Sequence, residues 1–434
     1  MQKSYQHAFA QVRIWDVAGG RSGGRVIYDL WQPDFPFVSS VSVTSVTEAV
    51  PTITVNIDAP FAEGLAMLDG TMFTQNNMMG VRIGWTDTGD TTRWYIGQLY
   101  QGGVGLTLSP DGLTGTLTAN AASVNSAYKP VSNVQKRNPI EAIKFSADKI
   151  GFDVDVSTGV FLKLDIEAKK WDFAYGPYGH LEIIRKICGD FDCRWWIGVN
   201  NFMKQCVYIR TRSEVAGSNV SRTFKMRGGF DPSNRQMPML SFQPEQRVAE
   251  WNAAGASPVG RQVALTYVND ADDLIVEVVS NDQNDNAKIG GAVSSNPVPT
   301  DVAVTLQSDQ TSAAVVLDHV ADGKEEVTAR IQVPPPTDAS VTQTQADAAR
   351  SNESDGLNMT IVTFGIPEIE LMETVSVLGC GKRYNGVYQI KSVTHQWNEG
   401  GWETTLAVFN SGAAANAVAQ IAPAGGVNEA PIVE

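Results

Sequence analysis

The chain has 434 residues, 43% of them hydrophobic and 18% charged, with a net charge of −14. That length allows roughly two to four domains with separate cores, and the composition is globular with a lean toward β structure. Lys and Arg form no cluster beyond isolated pairs such as Lys169-Lys170 and Lys382-Arg383, which excludes a phosphate-gripping nucleic-acid surface. No run approaches the roughly 18 apolar residues of a membrane span. Met1–His7 lacks the apolar core of a signal peptide, so a start in the cytoplasm is expected.

Residues 1–128 read as an all-β domain. Val41 and Val43 alternate with Ser and Thr; Ile53, Val55 and Ile57 alternate with Thr and Asn. The pattern returns at Val81, Ile83 and Trp85, at Val104, Leu106 and Leu108, and at Leu113 and Leu117. Period-two alternation buries one face of a strand and wets the other, as in an antiparallel sheet or barrel. Asp58-Ala59-Pro60, Asp87-Thr88-Gly89-Asp90 and Ser109-Pro110-Asp111-Gly112 supply turns, and Ala62–Met72 has room for one short helix. A small β-barrel with a connecting helix is the simplest reading.

Between 129 and 215 the period changes. Asn138 is a candidate N-cap, Pro139 suits the first helical position, Glu141 completes a capping box, and Ile140, Ile143, Ala147 and Ile150 share a face before Gly151. A strand at Phe152–Val156 follows. The unit recurs as a helix with Leu181, Ile184, Ile187 and Cys188 inward, stopped by Gly189, then a strand at Cys193–Val199. Asn200-Asn201 turns toward Cys206–Arg210 as a hairpin. This reads as a small α/β module of two helix–strand units. Trp171, Phe173, Tyr175 and Tyr178 ahead of the second helix suit core or subunit contact better than a sugar platform.

Strand-like runs return at Met239–Phe242 and Val263–Val268, and residues 216–268 are expected to begin a second barrel. Residues 269–352 interrupt it. Asn269–Pro299 is rich in Asp, Asn, Ser and Gly and reads as exposed loop; weak strands follow at Ala303–Leu306, Ala313–Leu317 and Glu326–Val333. Pro334-Pro335-Pro336 is a stiff break, and Thr342–Asn352 reads as a polar helix. Residues 353–412 carry four short strands: Ile361–Phe364, Val375–Leu378, Tyr384–His395 and Thr404–Phe409, separated by Gly, Pro and Asn. Residues 413–434 read as a flexible tail. The fold class is α+β, mainly β.

The last strand set carries a resemblance. Gly-Ile-Pro at 365–367, Val-Ser-Val-Leu-Gly-Cys-Gly at 375–381, Tyr-Asn-Gly-Val-Tyr-Gln-Ile-Lys-Ser-Val-Thr-His at 384–395 and Trp-Glu-Thr-Thr-Leu-Ala-Val at 402–408 resemble the end of the late control D family. These are baseplate hub proteins of contractile-tailed bacteriophages, related to the N-terminal part of type VI secretion spikes. The resemblance implies two tail-tube-like barrels flanking the α/β module. Three copies would then form a ring of six similar units that adapts a threefold tail spike to the sixfold tail tube, with DNA passing through its lumen on contraction. The implied partners are a second and third copy, the tail tube protein, baseplate wedge proteins and the tape measure protein. No strand set follows residue 409, so the spike is expected to be a separate chain. The location implied is the virion tail baseplate, assembled in the host cytoplasm. If acidic side chains line the lumen, they would repel DNA phosphates.

Chemistry is sparse. Cys188, Cys193, Cys206 and Cys380 match no zinc or iron–sulfur spacing and read as buried thiols. His7, His180, His319 and His395 stand in no metal motif, and the match of His395 to the family's usual histidine favours a structural hydrogen bond. Gly102-Gly103-Val104-Gly105 opens no helix and reads as a turn. The carboxylate pairs Asp153/Asp155, Asp190/Asp192 and Glu368/Glu370 establish no through-space separation for glycoside hydrolysis. The acidic stretches at 270–273 and 281–286 lack the glycine and terminal Glu of an EF-hand. No catalytic, cofactor-binding or metal-ligating residue is assigned, and the chain is expected not to be an enzyme. Ten tryptophans keep one rival in view, an extracellular β-rich carbohydrate-binding or glycan-hydrolysing protein.

Overall fold

A computed structural model describes residues 7–15, 26–31, 37–69, 77–121, 138–165, 179–201, 204–216, 218–229, 235–245, 355–381 and 384–411, together with five strands between 262 and 332. At 26–31, at those five strands and at a few strand ends only the backbone is described. The aromatic group at 171–178, the acidic stretches at 270–273 and 281–286, Thr342–Asn352 and the tail 413–434 lie outside these residues.

The N-terminal strands are β1 (Ala8–Trp15), β2 (Val26–Trp31), β3 (Val38–Val46), β4 (Thr52–Ala59), β5 (Met78–Trp85), β6 (Tyr95–Ser109) and β7 (Gly112–Asn120). Helix α1 (Phe61–Asp69) links β4 to β5. The alternation seen in sequence is the burial pattern: Ile53, Val55 and Ile57 lie within 2% of full burial while Thr52, Thr54 and Asn56 are half-buried. Phe61 to Asp69 forms the helix expected at 62–72. The stretch Gly102–Gly105 does not turn between strands; it lies inside β6, where the ladder slips between Leu99 and Val104.

Next come α2 (Pro139–Ile150), β8 (Asp153–Val156), α3 (Thr158–Leu164), α4 (His180–Asp190), β9 (Cys193–Val199), β10 (Gln205–Thr211) and α5 (Arg212–Ala216). Asn138 caps α2 through the Ile140 amide at 2.9 Å, one residue short of the amide a capping box uses, and Gly151 ends the helix in the left-handed region at φ 79. Helix α4 is not stopped by Gly189. It runs to Asp190, and Phe191, 1% exposed, anchors the exit. α3 is a further short helix, capped by Ser157. β9 pairs antiparallel with β10, which pairs parallel with β8, and the helices bury Ile143, Leu181, Ile184 and Ile187 against Trp195 and Ile197.

The remaining strands are β11 (Arg222–Met226), β12 (Gln236–Glu245), β13 (Gln262–Val268), β14 (Leu274–Val279), β15 (Val302–Leu306), β16 (Val315–His319), β17 (Val327–Gln332), β18 (Asp355–Phe364), β19 (Thr374–Leu378), β20 (Gly386–Asn398) and β21 (Gly401–Ser411). Strands β19-β11-β12-β18-β21-β20 form a closed six-stranded barrel, because β20 pairs back on β19. Two expectations are corrected. Val263–Val268, placed by its apolar run in this barrel, pairs instead with β14 and β17 in a three-stranded sheet. Within the supposed loop 269–299, Leu274–Val279 is a strand. Apolar alternation specifies a strand but not its partner.

The barrel does not stand apart from the N-terminal sheet. β20 also pairs with β3, so β12-β18-β21-β20-β3-β4-β7-β6-β5-β1-β2 is one continuous run of strands. No helix among the described residues is long and apolar enough to cross a membrane.

Candidate assembly interface

Strand order exposes an internal repeat. In the N-terminal sheet the order β3-β4-β7-β6-β5 visits the chain's strands first, second, fifth, fourth, third; in the barrel β12-β18-β21-β20-β19 does the same, with every neighbour antiparallel. The match extends to residues. Both central hairpins turn in two residues, Ser109 opposite Gly112 and Asn398 opposite Gly401. Each glycine holds positive φ, 149 and 130, at the start of its return strand. Following the ladders outward, Thr116, Asn56 and Ser40 occupy the places of Thr405, Val362 and Ser241. Both first strands bulge at the same step, between Val38 and Ser40 and between Met239 and Ser241. Both fourth strands slip before the hairpin, at Leu99/Val104 and at Ile390/Ser392. The insertion 246–354 stands where the first repeat has the short turn 47–51.

The two repeats meet edge to edge. β20 is long enough to serve twice: Gly386–Gln389 closes its own barrel on β19, and Ser392–Asn398 pairs with Val46–Ser40 of β3. Side chains reinforce the seam. Thr44 and Thr394 hydroxyls lie 3.2 Å apart. Behind them Trp397 and Trp402 of the second repeat pack in the core of the first, with Trp402 5.4 Å from Trp85, whose Nε1 donates to Gly365 O at 3.0 Å. His395 is fully buried in this seam, its Nδ1 3.0 Å from Thr404 Oγ1 and its ring between Tyr95 and Trp402; burial pushes its pKa down to about 3, so it stays a neutral structural group.

Across β6, β7, β4, β3, β20 and β21 the face opposite the cores is mostly polar; Val362 and Phe364 of β18 interrupt it, and Arg13 and Arg82 lie on the same face further along, on β1 and β5. It carries Thr107, Thr114, Thr116, Thr118, Asn120, Thr52, Thr54 and Asn56 of the first repeat, continues through Ser40, Ser42 and Thr44, and crosses to Thr394, Gln396, Thr405 and Thr360. Cross-strand hydrogen bonds tie it together: Asn56 Nδ2 to Ser40 Oγ at 2.7 Å, Thr116 Oγ1 to Asn56 Oδ1 at 2.7 Å and Thr52 Oγ1 to Asn120 Oδ1 at 3.1 Å. Among its described side chains only Asp58 and Glu403 are acidic.

The residues weighed for chemistry do not converge. Cys188, Cys193 and Cys206 are buried and burial raises all three thiols, Cys193 and Cys206 to about 12; Cys380, half-buried on another element, is raised too. No group of three metal-binding side chains exists among the described residues. Asp153 accepts from Asn200 at 2.8 Å, Asp155 pairs with Arg210 at 3.1 Å and Glu370 with Arg93 at 2.7 Å. Asp190 is buried inside the module, pushed up to about 7 by desolvation with Lys186 3.8 Å away, while Asp192 lies in the turn outside it. His7 is exposed beside Asp87, and His180 is held below the usual range by burial. A cavity of about 560 Å³ opens where the two repeats and the α/β module meet, lined by Tyr95, Trp196, Tyr208, Gln205, Glu368 and Glu370.

The resemblance implied two similar units, but their edge-to-edge joining could not be read from the residues, because the two copies share spacing rather than identity. The one legible trace is Gly112-x-x-x-Thr116-Leu117 against Gly401-x-x-x-Thr405-Leu406.

No protein-family model matches the chain, and no curated protein matches it in sequence. Solved structures do. The 43 kDa tail protein of prophage MuSo2 from Shewanella oneidensis aligns with TM-score 0.53 at 10% identity, covering 93% of this chain and 99% of its own. A tail protein from Neisseria meningitidis MC58 gives 0.53 at 12%, covering 95% and 99%. A chain of the Francisella PdpA–VgrG complex gives 0.52 at 8%, covering 94% of this chain and 58% of its own. The protein therefore has the fold of these tail proteins across nearly its whole length.

Proposed function

We propose that the protein is a structural hub of a phage-type tail baseplate and not an enzyme. Three copies make a ring of six similar units, joining a sixfold tail tube to a threefold spike, with baseplate wedge and tape measure proteins as further neighbours. The observation that carries this reading is the pair of equivalent five-stranded units joined edge to edge by β20 and β3. A chain that holds two units in head-to-tail contact repeats that contact in the next copy, and closure after three copies gives threefold symmetry with six near-equivalent positions. The fold shared with the Shewanella and Neisseria tail proteins supports it.

In this ring the continuous hydroxyl and amide face lines the channel. It would carry few charges, in contrast to a lumen lined by acidic side chains. The Thr, Ser and Asn of β3, β4, β7 and β20 offer phosphates neither a fixed cation to bind nor a strong field to repel them, while Arg13 and Arg82 lie further along the same face on β1 and β5.

The rival carbohydrate reading has only the aromatic-lined cavity in its favour, and the Arg93–Glu370 ion pair occupies one of its two carboxylates. Native mass spectrometry and electron microscopy of the full chain test the hub: a trimer with a pseudo-sixfold annulus is expected. A compact monomer that cleaves or binds peptidoglycan fragments would overturn it.

A further inference from the structure

The seam inside the chain specifies the seam between chains. If the two repeats are equivalent, the edges used once between them have counterparts that the chain leaves open. The counterpart of Ser392–Asn398 on β20 is Gly103–Ser109 on β6, because the hairpin registers superpose Asn398 on Ser109. Among the described residues, β6 pairs with β5 only over Tyr95–Gln98, so the outer edge of Gly103–Ser109 has no strand against it. The counterpart of Ser40–Thr44 on β3 is Ser241–Glu245 on β12. β11 covers β12 only over Gln236–Met239, so that outer edge is also open among the described residues.

We infer that these two open edges pair with each other between copies of this chain, antiparallel, with Gly105 opposite Glu245, Thr107 opposite Gln243 and Ser109 opposite Ser241 of a second copy. The register is that of Thr394 opposite Thr44, Gln396 opposite Ser42 and Asn398 opposite Ser40, carried across the repeat. This deepens the hub reading and rests on it.

Three features agree. Exposed strand edges are sites of unwanted pairing that proteins ordinarily blunt with charge, and β6 presents Gly105, Thr107 and Ser109 with no charge at all. No like charges oppose one another in the inferred register. Pro244 faces Leu106 and withholds at most one ladder bond, which suits an edge strand. The third feature is α1. In the second repeat, the segment between the second and third strands, 365–373, lies at the seam: Gly365 O accepts from Trp85 and Glu370 pairs with Arg93. Its counterpart in the first repeat is α1, which carries Phe61, Leu65 and Leu68 on one face, each at least 40% exposed. The same operation sets that apolar stripe against the turn after β19 in the next copy, where Leu378 is 39% exposed.

The test uses the full chain with Cys380→Ser as background. Thr107→Cys and Gln243→Cys are made singly and together, oxidised mildly and run on non-reducing gels beside native mass spectrometry. Covalent dimers and trimers in the double variant and in neither single one are expected. Native trimers whose double variant does not cross-link would overturn the inferred pairing and leave the ring standing. A chain that stays monomeric at high concentration overturns the ring and the pairing with it. Leu65→Glu with Leu68→Glu, both at exposed positions, is expected to abolish the trimer while leaving the far-ultraviolet circular dichroism spectrum of the folded chain unchanged; an unchanged trimer removes α1 from the seam and overturns that part.

Discussion

Trp402 belongs to the second repeat by sequence and to the first by packing, so truncating it tests how the two are coupled. It is 1% exposed, on β21, within the cluster of Val41, Val43, Val55 and Trp85. Gly365 leaves the room it occupies: a Cβ there would lie 2.0 Å from Trp402 Cδ2. A buried indole removes roughly 200 Å² or more of apolar area from water, about 5 kcal/mol at 25 cal/mol per Å². Partial collapse of the site brings Trp402→Ala into the range of about 3–5 kcal/mol. Trp402 Nε1 has no hydrogen-bond partner, so Trp402→Phe forfeits area but no bond and should cost about 1–2 kcal/mol. Urea unfolding followed by near-ultraviolet and far-ultraviolet circular dichroism gives both values. Because Trp402 ties the repeats into one core, both probes should shift together in Trp402→Ala. A loss below about 1 kcal/mol, or separate transitions for the two probes in the parent protein, would refute this account of the seam.

His395 titrates near 6.5 when unfolded and at about 3 when folded, so its contribution is complete above pH 6.5 and is lost as pH falls toward 3, by up to about 1.4 kcal/mol per unit. His395→Gln should flatten that slope in denaturant midpoints taken at steps of pH. Asp190 runs the other way. Its folded carboxyl holds a proton to about pH 7 while the unfolded one releases it near 3.9, so its favourable share is full at pH 4 and lost as pH rises through 7. Asp190→Asn should therefore stabilise the protein by about 2 kcal/mol at pH 8 and change little at pH 4, read by thermal melts. Glu214 accepts from Ser157 Oγ, the Gly159 amide and both the amide and hydroxyl of Thr211, at 2.6 to 3.0 Å, and so fastens the start of α3 to the end of β10. Glu214→Ala should cost about 1–3 kcal/mol and speed hydrogen exchange at 159–164, with exchange in α2 unaffected.

Much of the local structure was legible. Period-two alternation marked β3, β4 and β7 and identified which of their side chains face inward, because a pleated strand facing a core leaves no other solution. Asn138, Pro139 and Gly151 marked both ends of α2, since capping chemistry is local. α3 was not legible: seven residues are too few for a helical period, and it is held by Glu214, which is remote in sequence. Gly189 looked like a stop because glycine ends many helices, yet the buried Phe191 beyond it keeps the last turn in place.

Sequence by itself determined most of the strands, several of the turns, both caps of α2 and the inward faces. Each of these rests on forces acting within a few residues. Tertiary structure alone decided which strands pair. The slant of β20 across both β19 and β3, the parallel return of β11 onto β19, the exclusion of β13 from the barrel and the placing of Trp402 in the other repeat's core all join residues far apart in the chain. A ladder bond is the same between any two backbones, so pairing is chosen by packing and register across the whole sheet, and no short stretch of sequence records that choice.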